Sequence, residues 1–237
     1  MERTDYRRFL IPPVSLPVLL LILFFLLIVF TLFSGAVLVA FAKLGIPPGV
    51  AYTLFVLALV GSFINIPIAE ERTYEPVLTV REVRFMGIPY PVPSFGWAER
   101  RVVVAVNVGG ALVPAGIAIY EVLRMLYLGQ FALLFNTLFA VLIAALFSNA
   151  VARPVPGLGI AMPMFFPPLL VVLLGWLLGG SNPNAVAYVS GTLGVLIGAD
   201  LMNWDKIKNL GAPMVSIGGA GTFDGVFLAG IIAVLLV

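Results

Sequence analysis

Residues 18–39 form a continuous apolar run without a charged side chain, and this run limits the possible fold more than any other feature. A backbone buried in hydrocarbon must be a helix or a closed barrel, and a helix needs about 20 apolar residues to cross a bilayer. Comparable runs recur along the 237 residues, of which 62% are apolar and 10% are charged. The sequence therefore predicts an all-α polytopic protein with about seven transmembrane helices in a lipid bilayer.

Glycine, proline and charged residues divide the apolar sequence into seven segments. The expected helices cover residues 18–39, 49–69, 111–127, 131–152, 159–178, 185–202 and 218–237. The first run is about twice as long as the apolar region of a signal peptide, so we expect it to remain as a transmembrane helix. We expect residues 1–237 to form a single membrane domain.

The longest polar stretch lies between the second and third expected helices. Residues 77–86 and 101–108 are rich in β-branched side chains, and residues 87–93 have the glycine and prolines of a turn. This pattern predicts a small β element, and we place residues 70–108 at the membrane surface as a cytoplasmic β insertion.

The positive charges predict the orientation in a cell membrane. A cytoplasmic N-terminus places eleven of the 13 Lys and Arg residues on the cytoplasmic side and leaves Lys43 and Arg124 outside. Cytoplasmic loops of membrane proteins are enriched in Lys and Arg. The sequence thus favours a multi-pass protein with its N-terminus in the cytoplasm and its C-terminus outside.

The chain contains no Cys and no His, which limits its chemistry. Disulfides, thiolate zinc sites, thiol nucleophiles and imidazole bases are excluded. The net charge of +2, with the basic residues spread along the chain, does not indicate a nucleic-acid partner. We expect no metal and no cofactor, so any reaction must use carboxylates, hydroxyls, amides, Arg or Lys.

Asp200 and Asp224 are the acids expected at membrane depth, where an ionisable side chain is costly and usually functional. Ala212 lies in the expected hairpin between the last two helices, and each acid is twelve residues from it. Two antiparallel helices would therefore place both carboxylates at similar depth. Such a pair can share a proton, so that one carboxyl deprotonates water while the other protonates a carbonyl oxygen. We therefore select Asp200 and Asp224 as the candidate catalytic pair.

A short motif occurs twice, as VNVGGA at residues 106–111 and as VSIGGA at residues 215–220. Either the similarity is a coincidence in a Val- and Gly-rich chain, or both copies are extended segments that end at Gly-Gly and pair as strands near the acids. Glycine allows a substrate or another backbone to approach closely. The candidate substrate-binding residues are Asn107, Gly109, Gly110, Gly218, Gly219 and Gly221.

The segments NVGGALVP at residues 107–114, IGAD at 197–200 and GTFDG at 221–225 resemble the domain-of-unknown-function 1614 family of archaeal and bacterial membrane proteins. More distantly, the arrangement of the two acids is similar to the presenilin, signal-peptide-peptidase and prepilin-peptidase group of intramembrane aspartyl proteases. That resemblance implies catalysis by Asp200 and Asp224 on transmembrane peptides. The group carries Gly-x-Gly-Asp at its second acid, whereas Gly221, Thr222 and Phe223 precede Asp224 here.

Two other functions remain open from the sequence. An ion-coupled transporter or channel would use the same intramembrane acids to bind a small ion, with Asn107, Asn136, Ser148 and Asn149 as further ligands. A non-catalytic assembly protein would instead use buried ion pairs between helices, such as Glu121 with Arg124 and Asp200 with Arg153.

Overall fold

The computed structural model describes residues 16–85, 88–155, 159–207, 212–219 and 224–237. The described chain is mostly helical. Its α-helices are α1 (Leu16–Lys43), α2 (Pro48–Gly61), α3 (Val113–Tyr127), α4 (Phe131–Val151), α5 (Phe166–Leu178), α6 (Pro183–Val195), α7 (Trp204–Ile207) and α8 (Gly225–Leu236). Its strands are β1 (Asn65–Phe85), β2 (Ile88–Asn107), β3 (Arg153–Val155), β4 (Gly159–Ala161) and β5 (Met214–Ile217).

Four helical segments of the described chain are long and apolar enough to cross a membrane, rather than the seven that the sequence predicts. They are Leu16–Lys43, Val108–Tyr127, Phe131–Val151 and Pro183–Lys206. Three other apolar helices, α2, α5 and α8, have 14, 13 and 12 residues. At 1.5 Å per residue these three are about 18–21 Å long, which is less than the ~30 Å hydrocarbon core.

The expected second and fifth helices are shorter because proline and strand pairing interrupt them. Helix α2 ends at Gly61 instead of residue 69, since β1 begins at Asn65 and includes Pro67. Helix α5 begins at Phe166 instead of residue 159, with proline in its first turn, where the missing N–H is tolerated. The segment before α5 forms β4, which pairs antiparallel with β3.

The expected sixth and seventh helices also change structure near the acids. A π-helical turn, Leu196–Asp200, continues α6 and leads through a 3₁₀ turn, Leu201–Asn203, into α7. The last helix begins at Gly225 rather than residue 218, because residues 214–217 form β5. Asp200 and Asp224 therefore lie at the ends of helical segments.

The β element is longer than the small insertion that the sequence predicts. Strands β1 and β2 have 21 and 20 residues and pair along their whole length, which corresponds to about 65 Å of extended chain. The ion pairs Arg72–Glu99 and Arg101–Glu70 join the two strands at 3.2 and 3.3 Å. The base of the hairpin packs on the helices, where Trp204 Nε1 donates a hydrogen bond to Glu71 at 3.2 Å.

Strands β2 and β5 pair in parallel, so the chain just before the first copy of the repeated motif lies beside the start of the second copy. Val103 pairs with Met214 and Val106 with Ile217, so the sheet order is β1-β2-β5. Each strand is followed by a glycine pair. After β2 the chain enters a π-helical turn, Val108–Leu112, and after β5 it turns at Gly218 and Gly219.

Helix α6 lies at the centre of the helical core, and its glycines allow close packing. Residues 185–190 of α6 are buried. A Cβ atom at Gly194 would lie 2.4 Å from the Cβ of Ala144, and one at Gly198 would lie 2.1 Å from the carbonyl oxygen of Ala145. Small residues at these positions therefore bring α4 against α6 and the following π turn, as in other membrane helix pairs.

Four long-range hydrogen bonds gather several helix ends at the side of the protein opposite the sheet. Lys43 Nζ donates to the carbonyls of Val234 and Leu235 at 3.1 Å, Asn184 donates to the Lys43 carbonyl, and Arg124 donates to the Leu44 carbonyl. We call this side the Lys43 end and the other the hairpin end. Lys43 and Arg124, the two basic residues expected outside, thus lie at the same end.

Candidate functional site

A cavity of about 500 Å³ lies where the sheet meets the last helices, and both candidate acids line it. Strand β5, the π turn that ends at Asp200 and the start of α8 meet at this cavity. Its lining residues are Asn65, Gly159, Ile160, Asp200, Met214, Val215, Ser216, Ile217, Gly219 and Asp224. The cavity is therefore mixed in character, with two carboxyls, an amide and a hydroxyl set among apolar side chains.

Asp200 is the last residue of the π turn that continues α6. Its Oδ2 accepts a hydrogen bond from the backbone N–H of Gly218 at 3.1 Å. π-Helical turns often occur at functional sites because the extra residue changes the direction of the following side chains. The turn thus directs Asp200 toward the loop that follows β5.

Two asparagine side chains stabilise the backbone of this π turn. Asn203 Nδ2 donates to the carbonyls of Gly198 and Ala199 at 3.1 and 2.9 Å, and Asn149 Nδ2 donates to the Gly198 carbonyl at 3.2 Å. An interrupted helix leaves carbonyl groups that need other donors. Asn149 is thus used within the protein, in support of the backbone that holds Asp200.

Asp224 is the N-cap residue of α8. Its Oδ2 accepts from the backbone N–H of Val226 at 3.2 Å, the usual interaction of a capping aspartate. The helix dipole also favours a negative charge at this end of a helix. Asp224 therefore has a polar environment that differs from that of Asp200.

The glycine pair after β5 contacts both acids. Gly218 donates to Asp200, and a Cβ atom at Gly219 would lie 2.7 Å from Asp224 Oδ1. Two acids that lie at the ends of different helical segments are thus brought to one cavity by a single turn.

A buried amide network supports the opposite wall of the cavity. Asn107 Nδ2 donates to the Ser62 carbonyl at 2.8 Å and to Asn65 Oδ1 at 3.1 Å, and its own Oδ1 accepts from Gly110 N–H at 2.8 Å. Ser216 Oγ donates to Asn65 Oδ1 at 2.5 Å. Since Asn65 and Ser216 line the cavity, the network connects the cavity wall to the end of β2.

The predicted substrate-binding residues have different positions in the structure. Gly219 lines the cavity, whereas Gly218 packs against Ala111, whose backbone nitrogen would be 2.6 Å from a Cβ at residue 218. Gly109, Gly110 and Asn107 are buried and lie behind the cavity wall. Gly221 is outside the described residues.

Sequence reasoning missed Asn65 and Ser216 as cavity residues. Asn65 fell inside the expected second helix, and Ser216 was noted only as part of the repeated motif. Pro67, two residues after Asn65, indicates that a helix ends nearby. The amide of Asn65 in an otherwise apolar run indicates a buried polar contact.

Asn136, Glu121 and Arg124 make contacts within the protein. Asn136 donates to the Leu178 carbonyl at 3.0 Å. The predicted Glu121–Arg124 ion pair is confirmed at 3.6 Å. Arg153 is exposed in β3, and no ion pair joins it to Asp200 in the described part of the chain. Among the described residues there is also no group of three or more Asp, Glu, His or Cys side chains arranged to hold a metal.

We expect Asn107→Ala to lower the free energy of unfolding by about 2–3 kcal/mol, because it removes a cap and leaves buried partners unsatisfied. Thermal unfolding in detergent would measure the loss. Thr53→Ala, which removes an exposed hydroxyl bonded within α2, is the matched control and should change stability by less than about 0.5 kcal/mol. Equal stability of the two variants would contradict the proposed role of the network.

The comparisons with known proteins identify a family without an assigned activity. The family described as "Protein of unknown function (DUF1614)" matches residues 59–236, which include every described residue of the cavity. No curated protein and no solved structure matches the chain.

Proposed function

The chain belongs to the DUF1614 family, and from the geometry of its cavity we propose that it is an intramembrane aspartyl protease. The proposal rests on one observation: Asp200 and Asp224 line the same cavity, where Gly218 contacts Asp200 and the adjacent Gly219 contacts Asp224. Paired carboxyls are sufficient for peptide hydrolysis in a chain without Cys or His.

In the proposed reaction the two carboxyls share one proton. The ionised carboxyl takes a proton from water as the water oxygen attacks the peptide carbonyl carbon, and the protonated carboxyl gives its proton to the carbonyl oxygen. In the tetrahedral intermediate the first carboxyl then returns its proton to the amide nitrogen, and the C–N bond breaks. The second carboxyl recovers its proton from the hydroxyl as the new carboxyl group forms.

Strand β5 provides a place for an extended substrate beside the acids. In the described part of the sheet, β5 pairs with β2 alone, and the residues of β5 line the cavity. An extended peptide can add to such an edge through main-chain hydrogen bonds. Residues 101–108 do not offer this edge, because β1 pairs with residues 101–107 and β5 with residues 103–106.

The proposed site is reached from the cytoplasmic side of a cell membrane. With the N-terminus in the cytoplasm, the hairpin end is cytoplasmic, while the Lys43 end and the C-terminus face outside. Helix α8 has 12 residues, so Asp224 lies about 18 Å from the Lys43 end, within a hydrocarbon core of ~30 Å. This depth suits a substrate that is itself a transmembrane peptide.

A cleavage assay in liposomes tests the proposal. We expect the purified full chain to cleave a transmembrane peptide, and a peptide with a hydroxyl-bearing isostere at the scissile bond to inhibit it by mimicking the tetrahedral intermediate. The same liposomes would report ion flux with an entrapped dye. Flux without cleavage would favour an ion-coupled transporter, and the absence of both activities would favour an assembly role. Either outcome would contradict the protease.

A further inference from the structure

A second cavity lies between α2 and α3, away from the acids and lined almost entirely by apolar groups. Its volume is about 730 Å³. The residues that define its two walls are Val50, Leu54 and Leu57 on α2, and Leu112, Gly116 and Tyr120 on the other side. Several of these side chains are exposed at the protein surface. In a membrane this cavity is a groove that opens to hydrocarbon.

The length of the groove fits one leaflet of a bilayer. Its lining extends over residues 47–57 on one wall and 108–120 on the other, which correspond to about 15 and 18 Å of helix. Half of a ~30 Å hydrocarbon core is about 15 Å. A helix that spans the membrane would need a contact surface about twice as long as this groove. An acyl chain that extends through one leaflet has about the length of the groove.

Gly116 leaves the middle of the groove open. It lies in the interior of α3, where glycine destabilises a helix by up to about 1 kcal/mol relative to alanine. A Cβ atom at this position would meet no other atom within 4 Å. The glycine is therefore not required by packing within the protein, and it widens the groove at the point where an acyl chain would pass.

A cation lies at the end of the groove nearest the membrane surface. The Arg124 guanidinium lies beside Gly45, next to the groove residues Ile46 and Pro47, and a Cβ at Gly45 would be 3.5 Å from Nη1. Nη1 donates to the Leu44 carbonyl at 3.1 Å. Nη1 also lies 3.6 Å from the buried Glu121 carboxylate. The Arg124 side chain is 39% exposed, and arginine has five N–H donors in all, so its other N–H groups can still contact a phosphate.

We propose that this groove binds one acyl chain of a glycerophospholipid from the leaflet at the Lys43 end, with the lipid phosphate beside Arg124. The apolar walls bury the chain, and the guanidinium binds the phosphate at the depth where the headgroups lie. The site is independent of the acidic cavity and of the protease proposal.

Native mass spectrometry of the full chain in detergent, after delipidation and addition of phosphatidylglycerol, tests the proposal. We expect one phosphatidylglycerol per chain, and diacylglycerol with the same acyl chains to be retained about tenfold less because it lacks the phosphate. Gly116→Phe should fill the groove and lower phosphatidylglycerol retention about tenfold or more. Arg124→Gln, made together with Glu121→Gln so that no buried carboxyl is left without its cation, should reduce phosphatidylglycerol retention to the level of diacylglycerol.

Gly35→Phe is the matched control, because Gly35 is exposed on α1 and its Cβ would also meet no atom within 4 Å. It should retain phosphatidylglycerol like the unmodified protein. If Gly116→Phe does not fold, Gly116→Leu provides the smaller obstruction. Equal retention in the Gly116 and Gly35 variants, equal retention of the two lipids, or displacement of phosphatidylglycerol by a transmembrane peptide that crosslinks within the groove would each overturn the proposal.

Discussion

Asp200→Asn and Asp224→Asn are each expected to lower cleavage of a transmembrane peptide by about 1,000-fold or more, because loss of one member of a catalytic pair removes the function of both. An amide cannot take a proton from water or give one to a carbonyl oxygen as a carboxyl can. The asparagine Oδ1 can still accept from the Gly218 N–H at residue 200 and from the Val226 N–H at residue 224. The fold should therefore be retained, and the initial rate of cleavage in liposomes measures the loss.

Thermal unfolding separates this chemical loss from a loss of structure. Each substitution replaces a carboxyl with an amide of the same shape that keeps its backbone hydrogen bond, so stability should be nearly unchanged. Asp205→Asn is the control. Asp205 is an exposed acid in α7, five residues after Asp200, and its substitution should leave full activity. Cleavage within a few-fold of the unmodified rate in either cavity variant would argue against the catalytic pair.

Helix boundaries are best predicted where an apolar segment has no internal proline or glycine. The expected helix at residues 131–152 differs from α4, Phe131–Val151, by one residue. Local sequence suffices there because an apolar run of about 20 residues without proline or glycine is too long for a typical strand and favours a helix.

Other boundaries depend on partners that are distant in the sequence. Residues 214–217 are apolar enough to begin a helix, and their pairing with β2 makes them a strand. The prolines at 89, 91 and 93 indicated a turn, yet they pair with Arg84, Glu82 and Val80 within the hairpin. Their spacing of two places all three missing N–H groups at the same edge, and prolines are tolerated on edge strands.

The candidate acids were predictable because ionisable residues are rare in this chain, but their surroundings were not. Equal counting from Ala212 suggested two acids within facing helices. Instead, Asp200 ends a π turn and Asp224 caps a helix, and the Gly218–Gly219 turn contacts both. Local propensity does not specify such a turn, since Gly218 packs against Ala111, in a π turn more than 100 residues earlier in the sequence.

Gly218→Ala should lower both stability and cleavage. Gly218 has φ +74°, which costs an alanine about 1–2 kcal/mol, and the added Cβ would lie 2.6 Å from the Ala111 nitrogen and 2.7 Å from the Gly110 carbonyl carbon. Because these are backbone atoms, the turn must shift, which adds about 1–3 kcal/mol. We expect a total loss of about 2–5 kcal/mol in the free energy of unfolding.

The same shift would move the Gly218 N–H away from Asp200, so cleavage should fall even at temperatures where the variant is folded. Gly129→Ala separates the two effects, because Gly129 has φ +68° but a Cβ there would meet no atom within 4 Å. It should lose about 1–2 kcal/mol and keep full activity. If Gly218→Ala were no less stable than Gly129→Ala and equally active, close backbone packing at Gly218 would not be what positions Asp200, and the glycine would serve the turn alone.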